Sequence, residues 1–137
     1  MLKKKEKQNV LNEDFCQESI IKWLEKKGFI ISDKYKKKSK YKRGIDIIAQ
    51  NKNGIQYNIE VKGISRALKV DFECALGQII LQMSDRRTSA QNRFYLGFPE
   101  KIYDKYINQI SKIVAKKLKL RLLIVDKKGM VKEENLF

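Results

Sequence analysis

Two neighbouring segments of this chain place charged side chains in otherwise apolar sequence. Asp46 lies in the first apolar run, and Glu60 and Lys62 flank Val61 in the second. Alternate residues of a strand share a face, so Glu60 and Lys62 are expected to point the same way. Two carboxylates close together raise each other's pKa, a penalty that a divalent cation removes. The pattern therefore predicts a site where Asp46 and Glu60 bind a metal ion beside Lys62.

The chemistry that such a site supports is attack of water on phosphorus. Mg²⁺ or Mn²⁺ takes oxygen ligands, and the Val61 carbonyl would supply a third oxygen after the two carboxylates. Lys62 would deprotonate or orient the attacking water. The same pattern also fits a surface salt bridge between Glu60 and Lys62, with Asp46 as a turn residue.

The elements that must position these residues form a predicted hairpin. Strands are expected at 45–50 and 55–62, and the turn residues 51–54 between them read Asn-Lys-Asn-Gly. Asn-Gly between two apolar runs is a strong hairpin signal. A tight hairpin would bring Asp46 beside Glu60.

Helical and alternating periodicity predict the remaining elements. They are a helix at 12–27 ended by Gly28, a strand at 29–31, a helix at 71–83, a strand at 94–98 ended by Pro99, a helix at 100–117, a strand at 122–125 and a small hairpin or tail through Gly129 and Val131. The order is α-β-β-β-α-β-α-β, an α/β fold with a mixed central sheet flanked by helices. Residues 1–10 are expected to form a flexible basic arm and 11–137 a single domain.

The order of these motifs resembles that of a known nuclease family. Gly-Ile-Asp at 44–46, followed by Glu-Val-Lys-Gly at 60–63, is similar to the motif of the PD-(D/E)xK nuclease superfamily, which has the restriction-endonuclease-like fold. In that family the first acid lies on the second core strand and the acid-x-lysine on the third, as predicted here. Ile45 stands where the family name implies proline, a position that varies within the family. The resemblance covers about residues 13–125.

The resemblance implies a role for each site residue. Asp46 and Glu60 would be metal ligands, and Lys62 would position or activate the water. Many members carry a glutamate on the helix before the sheet, where Glu18 would contact the metal through water or help to hold a second ion. Several subfamilies place a glutamine on the helix after the lysine strand, where Gln78 would orient Lys62 or the scissile phosphate. Otherwise Glu18 is a solvated helix carboxylate and Gln78 a surface amide.

The charge of the chain indicates a polyanionic partner. Lys and Arg total 31 against 16 Asp and Glu, which gives a formal net charge of +15, and the pI is about 9.8. Charge of this size and sign is typical of proteins that bind nucleic acid, although a lysine-rich proteome gives the same composition. Nucleic acid is therefore the expected partner, and the resemblance indicates DNA.

Basic residues near the predicted site are candidates for phosphate contacts. Segment 34–43 leads into Asp46 and holds seven basic residues and no acidic one. Phosphate contacts give affinity and salt dependence rather than sequence choice. The predicted nucleic-acid-binding residues are Lys36, Lys37, Lys38, Lys40, Lys42, Arg43, Arg66, Arg86 and Arg87, with Arg93 in the same cluster as the last two. The clustered arginines also fit a role in loop solubility.

The absence of histidine narrows the chemistry. It excludes Ser-His-Asp and Cys-His catalysis, His-metal nucleases and Cys/His zinc sites. Cys16 and Cys74 are far apart and lie in no paired motif, so reduced thiols in a cytoplasmic protein are expected. The sequence shows no signal peptide and no apolar run of the ~20 residues that a membrane span needs, so no membrane partner is expected.

Together these features predict a metal-dependent deoxyribonuclease that acts as an endonuclease. A narrower alternative is a dimeric structure-specific endonuclease similar to a Holliday-junction resolvase, because the short chain leaves no room for a separate target-recognition domain. A non-catalytic DNA-binding module on the same fold is an alternative of another class. A homodimer is expected because cutting both strands needs two sites, and membership of a larger nucleoprotein complex is also compatible with the sequence.

Overall fold

The sheet of this protein follows the order of the chain. The computed structural model describes residues 12–32, 45–64, 68–85 and 89–136. Within these residues six strands form one sheet in the order β1-β2-β3-β4-β5-β6. The strands are β1 Ile30–Ile31, β2 Ile47–Gln50, β3 Gln56–Val61, β4 Asn92–Pro99, β5 Arg121–Val125 and β6 Val131–Asn135. Neighbours from β1 to β3 are antiparallel, those from β3 to β5 are parallel, and β6 returns antiparallel to β5. The predicted mixed sheet is confirmed.

Helices flank the sheet and supply the crossovers that its parallel strands need. The helices are α1 Glu13–Lys26, α2 Leu68–Asp85, α3 Glu100–Tyr106 and α4 Lys112–Leu118, with a 3-10 turn at Ile107–Gln109. Asn12 caps α1, because its Oδ1 accepts a hydrogen bond from Phe15 N at 2.8 Å. The predicted first helix is therefore confirmed to within one residue at each end.

The hydrophobic core lies in two clusters on opposite faces of the sheet. On one face α1 contributes Cys16, Ile20 and Leu24. On the other face α2 contributes residues that include Phe72 and Ile79, and α3 packs beside it. Strand residues alternate between the clusters, as a period of two requires. The sheet is thus buried on both sides, which suits its parallel centre.

The predicted hairpin is confirmed, and its register is fixed by the turn. Asn51 Oδ1 accepts hydrogen bonds from Asn53 N and Ile55 N, each at 3.0 Å. β2 begins only at Ile47, because Ile45 packs into the α2-side cluster and Ile47 into the α1-side cluster. Residues two apart normally share a face, so the chain departs from regular strand geometry between them. That departure is at Asp46.

The predicted helix at 100–117 is divided in the structure. α3 ends at Tyr106, the 3-10 turn follows, and Ser111 caps α4 by accepting a hydrogen bond from Val114 N. Ile110 has an extended ψ of 119°, so the backbone leaves the helical region just before that cap. Apolar periodicity does not reveal the break, since buried Ile107 and Ala115 lie on both sides of it.

The chain after β5 forms a sixth strand where a small hairpin or tail was predicted. β6 pairs with β5 along its length, from Val131 opposite Val125 to Asn135 opposite Arg121. Within the residues that the structure describes, no helix has the length and apolar character needed to cross a membrane.

Candidate active site

Asp46 and Glu60 lie side by side across the β2–β3 hairpin. Ile47 is paired with Ile59, so Asp46 and Glu60 are the next opposed positions. Asp46 Oδ2 accepts a hydrogen bond from Val61 N at 2.8 Å. The two carboxyls are also within hydrogen-bonding reach of each other. The structure therefore brings the two predicted acids together at the end of β3.

Glu60 is the buried acid of this pair. It is 3% exposed, and its Oε2 has no hydrogen-bond partner among the described residues. Burial, followed by the neighbouring Asp46 carboxyl, raises the pKa of Glu60 to about 8, and Lys62 opposes this rise only in part. The pair is therefore stable with a proton on Glu60, or with a cation in the proton's place.

Lys62 follows β3 and meets the first turn of α1. Its Nζ lies 3.9 Å from Glu13 Oε1, and the two side chains are 25% and 38% exposed. Gly63 permits this approach, since a Cβ at that position would overlap the backbone of Asn12 and Glu13. Glu13 also contributes to the raised pKa of Glu60. A third carboxylate, that of Glu13, therefore adjoins the pair, and the sequence pattern did not predict it.

Glu18, the helix carboxylate predicted for this site, lies on the exposed surface of α1. It comes five positions after Glu13, and on a helix that spacing places two side chains about 140° apart. Both acids therefore cannot face Lys62. The Asn12 cap identifies Glu13 as a first-turn residue. Which end of α1 meets the hairpin, however, is decided by tertiary packing.

Gln78 is exposed on α2, and among the described residues its amide makes no hydrogen bond to Lys62. The buried side of α2 is formed instead by Phe72, Ala75 and Ile79. The structure does not bring Gln78 into the cluster, and its role stays a prediction.

The predicted phosphate-contacting residues lie outside the part of the chain that the structure describes. They are Lys36, Lys37, Lys38, Lys40, Lys42, Arg43, Arg66, Arg86 and Arg87. Arg93 is described, and it belongs to β4. Its Nε donates a hydrogen bond to Ala90 O at 2.7 Å, and its guanidinium lies 5.8 Å from the centre of the Tyr57 ring. Arg93 therefore stabilises the sheet and its preceding loop.

The donors at the end of β3 fit a hard divalent cation. Carboxylate and backbone carbonyl oxygens are the ligands that Mg²⁺ prefers, and Glu60 Oε2, which the described residues leave without a hydrogen-bond partner, is such an oxygen. No group of three or more Asp, Glu, Cys or His side chains within the described ranges is close enough together to hold one ion. An ion here would therefore depend on two carboxylates, the Val61 carbonyl and water, as magnesium sites often do.

The fold and this cluster define a mixed α/β protein whose central sheet carries two acids and a lysine at the end of one strand. A family model described as "XisH protein" matches residues 10–132. The chain belongs to the XisH family.

Two crystal structures are similar to this chain over most of its length. An XisH family protein from Nostoc punctiforme PCC 73102 has a TM-score of 0.61 and 23% identity, over 88% of this chain and 98% of its own. An fdxN element excision controlling factor protein from Anabaena variabilis has a TM-score of 0.63 and 22% identity, over 90% of this chain and 99% of its own. At these identities the likeness shows a shared fold. No curated protein matches the chain.

Proposed function

We propose that this XisH-family chain is a Mg²⁺-dependent nuclease that hydrolyses DNA phosphodiester bonds on a restriction-endonuclease-like, PD-(D/E)xK core. The observation that carries the proposal is Glu60, which is almost fully buried beside Asp46 and Lys62 and has one oxygen without a partner among the described residues. Burying an acid against another acid is costly unless a proton or cation joins them. A site that takes up a cation explains why the sequence tolerates this cost.

In the proposed reaction, water attacks phosphorus and one P–O bond to the sugar breaks, which leaves a phosphate end and a hydroxyl end. Lys62 would hold the phosphate or orient the water, since its Nζ is 3.9 Å from Glu13, a separation that leaves it able to take a new partner. Val61 N holds Asp46 in place through the hydrogen bond to Oδ2. Glu13 would position Lys62 between turnovers.

The metal in this proposal is Mg²⁺ or Mn²⁺, held by Asp46, Glu60 and the Val61 carbonyl. When bound, it supplies Lewis-acid polarisation of the phosphate and lowers the pKa of water. The raised pKa of Glu60 supports this role, because a cation replaces the proton that the buried pair otherwise keeps.

DNA is the proposed substrate, and DNA rearrangement is the proposed setting. One structural relative is named an fdxN element excision controlling factor, which supports action on DNA. Cutting both strands needs two sites, so we propose that the protein is a homodimer. A narrower form of this proposal is a dimeric endonuclease that is specific for DNA junctions.

The test is cleavage of an end-labelled panel by wild type and Lys62→Ala, with Mg²⁺, with Mn²⁺ and with EDTA. The panel holds linear duplex, single strand, flap, four-way junction, supercoiled plasmid and RNA. Lys62→Ala should lower the rate by a factor on the order of 10³ or more. Lys52→Ala, in the exposed turn of the same hairpin, is the matched control and should cleave as wild type does.

Glu13→Gln should lower the rate about 10–100-fold, and Glu18→Gln should leave it within about twofold.

A non-catalytic DNA-binding factor is the second candidate. The name "controlling factor" of the Anabaena variabilis relative favours it, because control needs binding rather than cleavage. Salt-sensitive binding by wild type, with no metal-dependent cleavage of any substrate in the panel, would replace the nuclease proposal by this one.

A further inference from the structure

A second feature of the molecule suits a polyanion and lies away from the acidic cluster. It is a groove of about 690 Å³ between helix α1 and the turn that joins β5 to β6, called here the α1–turn groove. Its charged lining residues are Lys22, Lys26 and Lys128, with Glu25 as the acid among them. All three lysines are exposed. None of these residues was predicted to bind nucleic acid from the sequence.

The groove is built by fixed backbone rather than by loose side chains. A Cβ at Gly129, which has φ +82°, would lie 3.2 Å from Ser19 Oγ, so the turn rests directly on α1. Asp126 Oδ1 accepts hydrogen bonds from Lys128 N and Met130 N, each at 2.9 Å. The turn is thereby held in one conformation, with its lysines facing solvent.

The charge of this region favours an anionic occupant. The lining holds three lysines against one glutamate, and exposed Lys27 and Lys127 adjoin it. Trp23 forms one wall, and Lys27 Nζ lies 4.4 Å from the centre of its ring. Basic side chains around an aromatic wall suit a sugar-phosphate backbone, which offers repeated negative charge and apolar sugar faces.

Helix α1 connects this groove to the acidic cluster. Glu13 meets Lys62 at the first turn of α1, whereas the groove lysines lie near its other end. At 1.5 Å per residue, Lys22 and Lys26 are about 14 and 20 Å along the helix axis from Glu13. At 100° per residue they are also rotated by about 180° and 140° around the axis from Glu13, so the groove opens on the other side of α1 from the acidic cluster.

We propose that the α1–turn groove binds the DNA backbone at a place separate from the acidic cluster. This inference rests on the proposed function for the identity of its partner. It adds a phosphate-binding surface formed by Lys22, Lys26 and Lys128. The surface sets where the duplex lies on the protein and carries no sequence readout.

The experiment uses the full chain in EDTA, so that binding is measured without cleavage. A triple variant, Lys22→Ala with Lys26→Ala and Lys128→Ala, is compared with a control triple, Lys101→Ala with Lys105→Ala and Lys117→Ala. All six lysines are exposed, and both variants lose three positive charges. Binding of a labelled 20-base-pair duplex is followed by anisotropy across a salt series. The groove variant should bind on the order of tenfold more weakly, and its plot of log K against log salt should be shallower by about one unit per lysine. The control should match wild type.

The chain's single tryptophan supplies an independent readout, because Trp23 is a wall of the groove. Its fluorescence should change when duplex is added to wild type or to the control, and should stay constant in the groove variant at equal occupancy of DNA. Equal loss of affinity in both triple variants would overturn the proposal, since net charge alone would then explain binding. Constant Trp23 fluorescence in wild type would overturn it too. An equal change in fluorescence with poly-glutamate would also overturn it, because the groove would then suit an acidic protein rather than DNA.

The cleavage panel tests the nuclease proposal and the binding series tests the groove proposal, so either proposal can fail without the other. If no substrate is cleaved and only the groove variant binds more weakly, the nuclease proposal is rejected and the groove proposal is supported. Cleavage lost in Lys62→Ala, together with wild-type binding by the groove variant, would do the reverse.

Discussion

Glu60 faces an interior that solvent hardly reaches, and the charged group that most affects it is another acid. The sequence predicts this meeting, because a two-residue period and an Asn-Gly hairpin together oppose Asp46 and Glu60. Its energetic consequence comes from burial, which a pattern of residue types does not measure. Lys62 is close enough to reduce the penalty and too exposed to remove it. The protonation of one residue therefore links the stability of the metal-free protein to pH.

Metal-free protein should lose stability as the pH rises from about 4.5 to about 8. The pKa of Glu60 is raised from 4.5 to about 8 in the folded state, chiefly by burial. Between these values the folded chain keeps a proton that the unfolded chain has released, so stability falls as pH rises. Thermal unfolding in EDTA should show Tm falling by at least about 3 °C across this range.

Two variants check the assignment of this pH dependence. Glu60→Gln removes the titrating group and should flatten the profile, whereas Glu18→Gln, at an exposed position, should keep the wild-type slope. A wild-type Tm that rises with pH across the range would contradict the prediction.

At the scale of elements, the site depends on how closely α1 approaches the end of β3. Gly63 lies against the backbone of Asn12 and Glu13, so the first turn of the helix and the strand exit touch without intervening side chains. The capping residue and apolar spacing of α1 predict its limits but not this docking. Apolar spacing also fails to predict the divided helix after β4. There the Ser111 cap starts a new helix, although the apolar periodicity continues across the break.

Gly63→Ala should destabilise the protein by about 1–3 kcal/mol, because the added methyl group overlaps backbone atoms that cannot move independently. It should also weaken the proposed DNA cleavage, since Glu13 would be displaced from Lys62. Gly77→Ala is the matched control. Gly77 lies within α2, and outside the backbone of that helix no atom of the described residues is within 4 Å of the added Cβ, so the change should stabilise by about 0.5–1 kcal/mol. Urea unfolding measures the free energy of unfolding of both variants. If both substitutions change it by the same amount in the same direction, the packing argument for Gly63 is wrong.

At the scale of the whole molecule, helices cover both faces of the sheet, and the two cysteines lie on opposite sides of these helices, one facing the core and one facing solvent. Cys16 lies in the core between α1 and the sheet at 0% exposure, and Cys74 lies on the outer side of α2. Tyr57 on β3 donates a hydrogen bond to Glu133 on β6 at 2.9 Å, which joins strands far apart in the sequence. Because Cys16, Ile20 and Leu24 of α1 are fully buried against the sheet, we expect the α1 layer to open only on global unfolding.

The two thiols should therefore react at very different rates with an aromatic disulfide reagent. Cys74 should react within minutes in native protein. Burial, followed by the charge of Glu13, raises the pKa of Cys16 to about 12, and its reaction should be at least about 100-fold slower. Denaturant should accelerate Cys16 in step with global unfolding. A Cys74→Ser variant isolates Cys16, and rapid labelling of that variant in buffer would show that α1 opens locally.

The sequence by itself determined the β2–β3 hairpin, the mixed sheet, the first helix and the pairing of Asp46 with Glu60. Each of these depends on local periodicity, on caps or on a short turn, so neighbouring residues contain the information. Only the tertiary structure decided that Glu13 rather than Glu18 adjoins Lys62, that Gln78 faces solvent, and that Lys22, Lys26 and Lys128 share one groove. Those facts depend on the rotation of a helix about its axis and on which of its ends meets a given strand. The apolar stripe of a helix indicates which face is buried, but packing between distant segments decides the final rotation and which end of the helix meets a given strand.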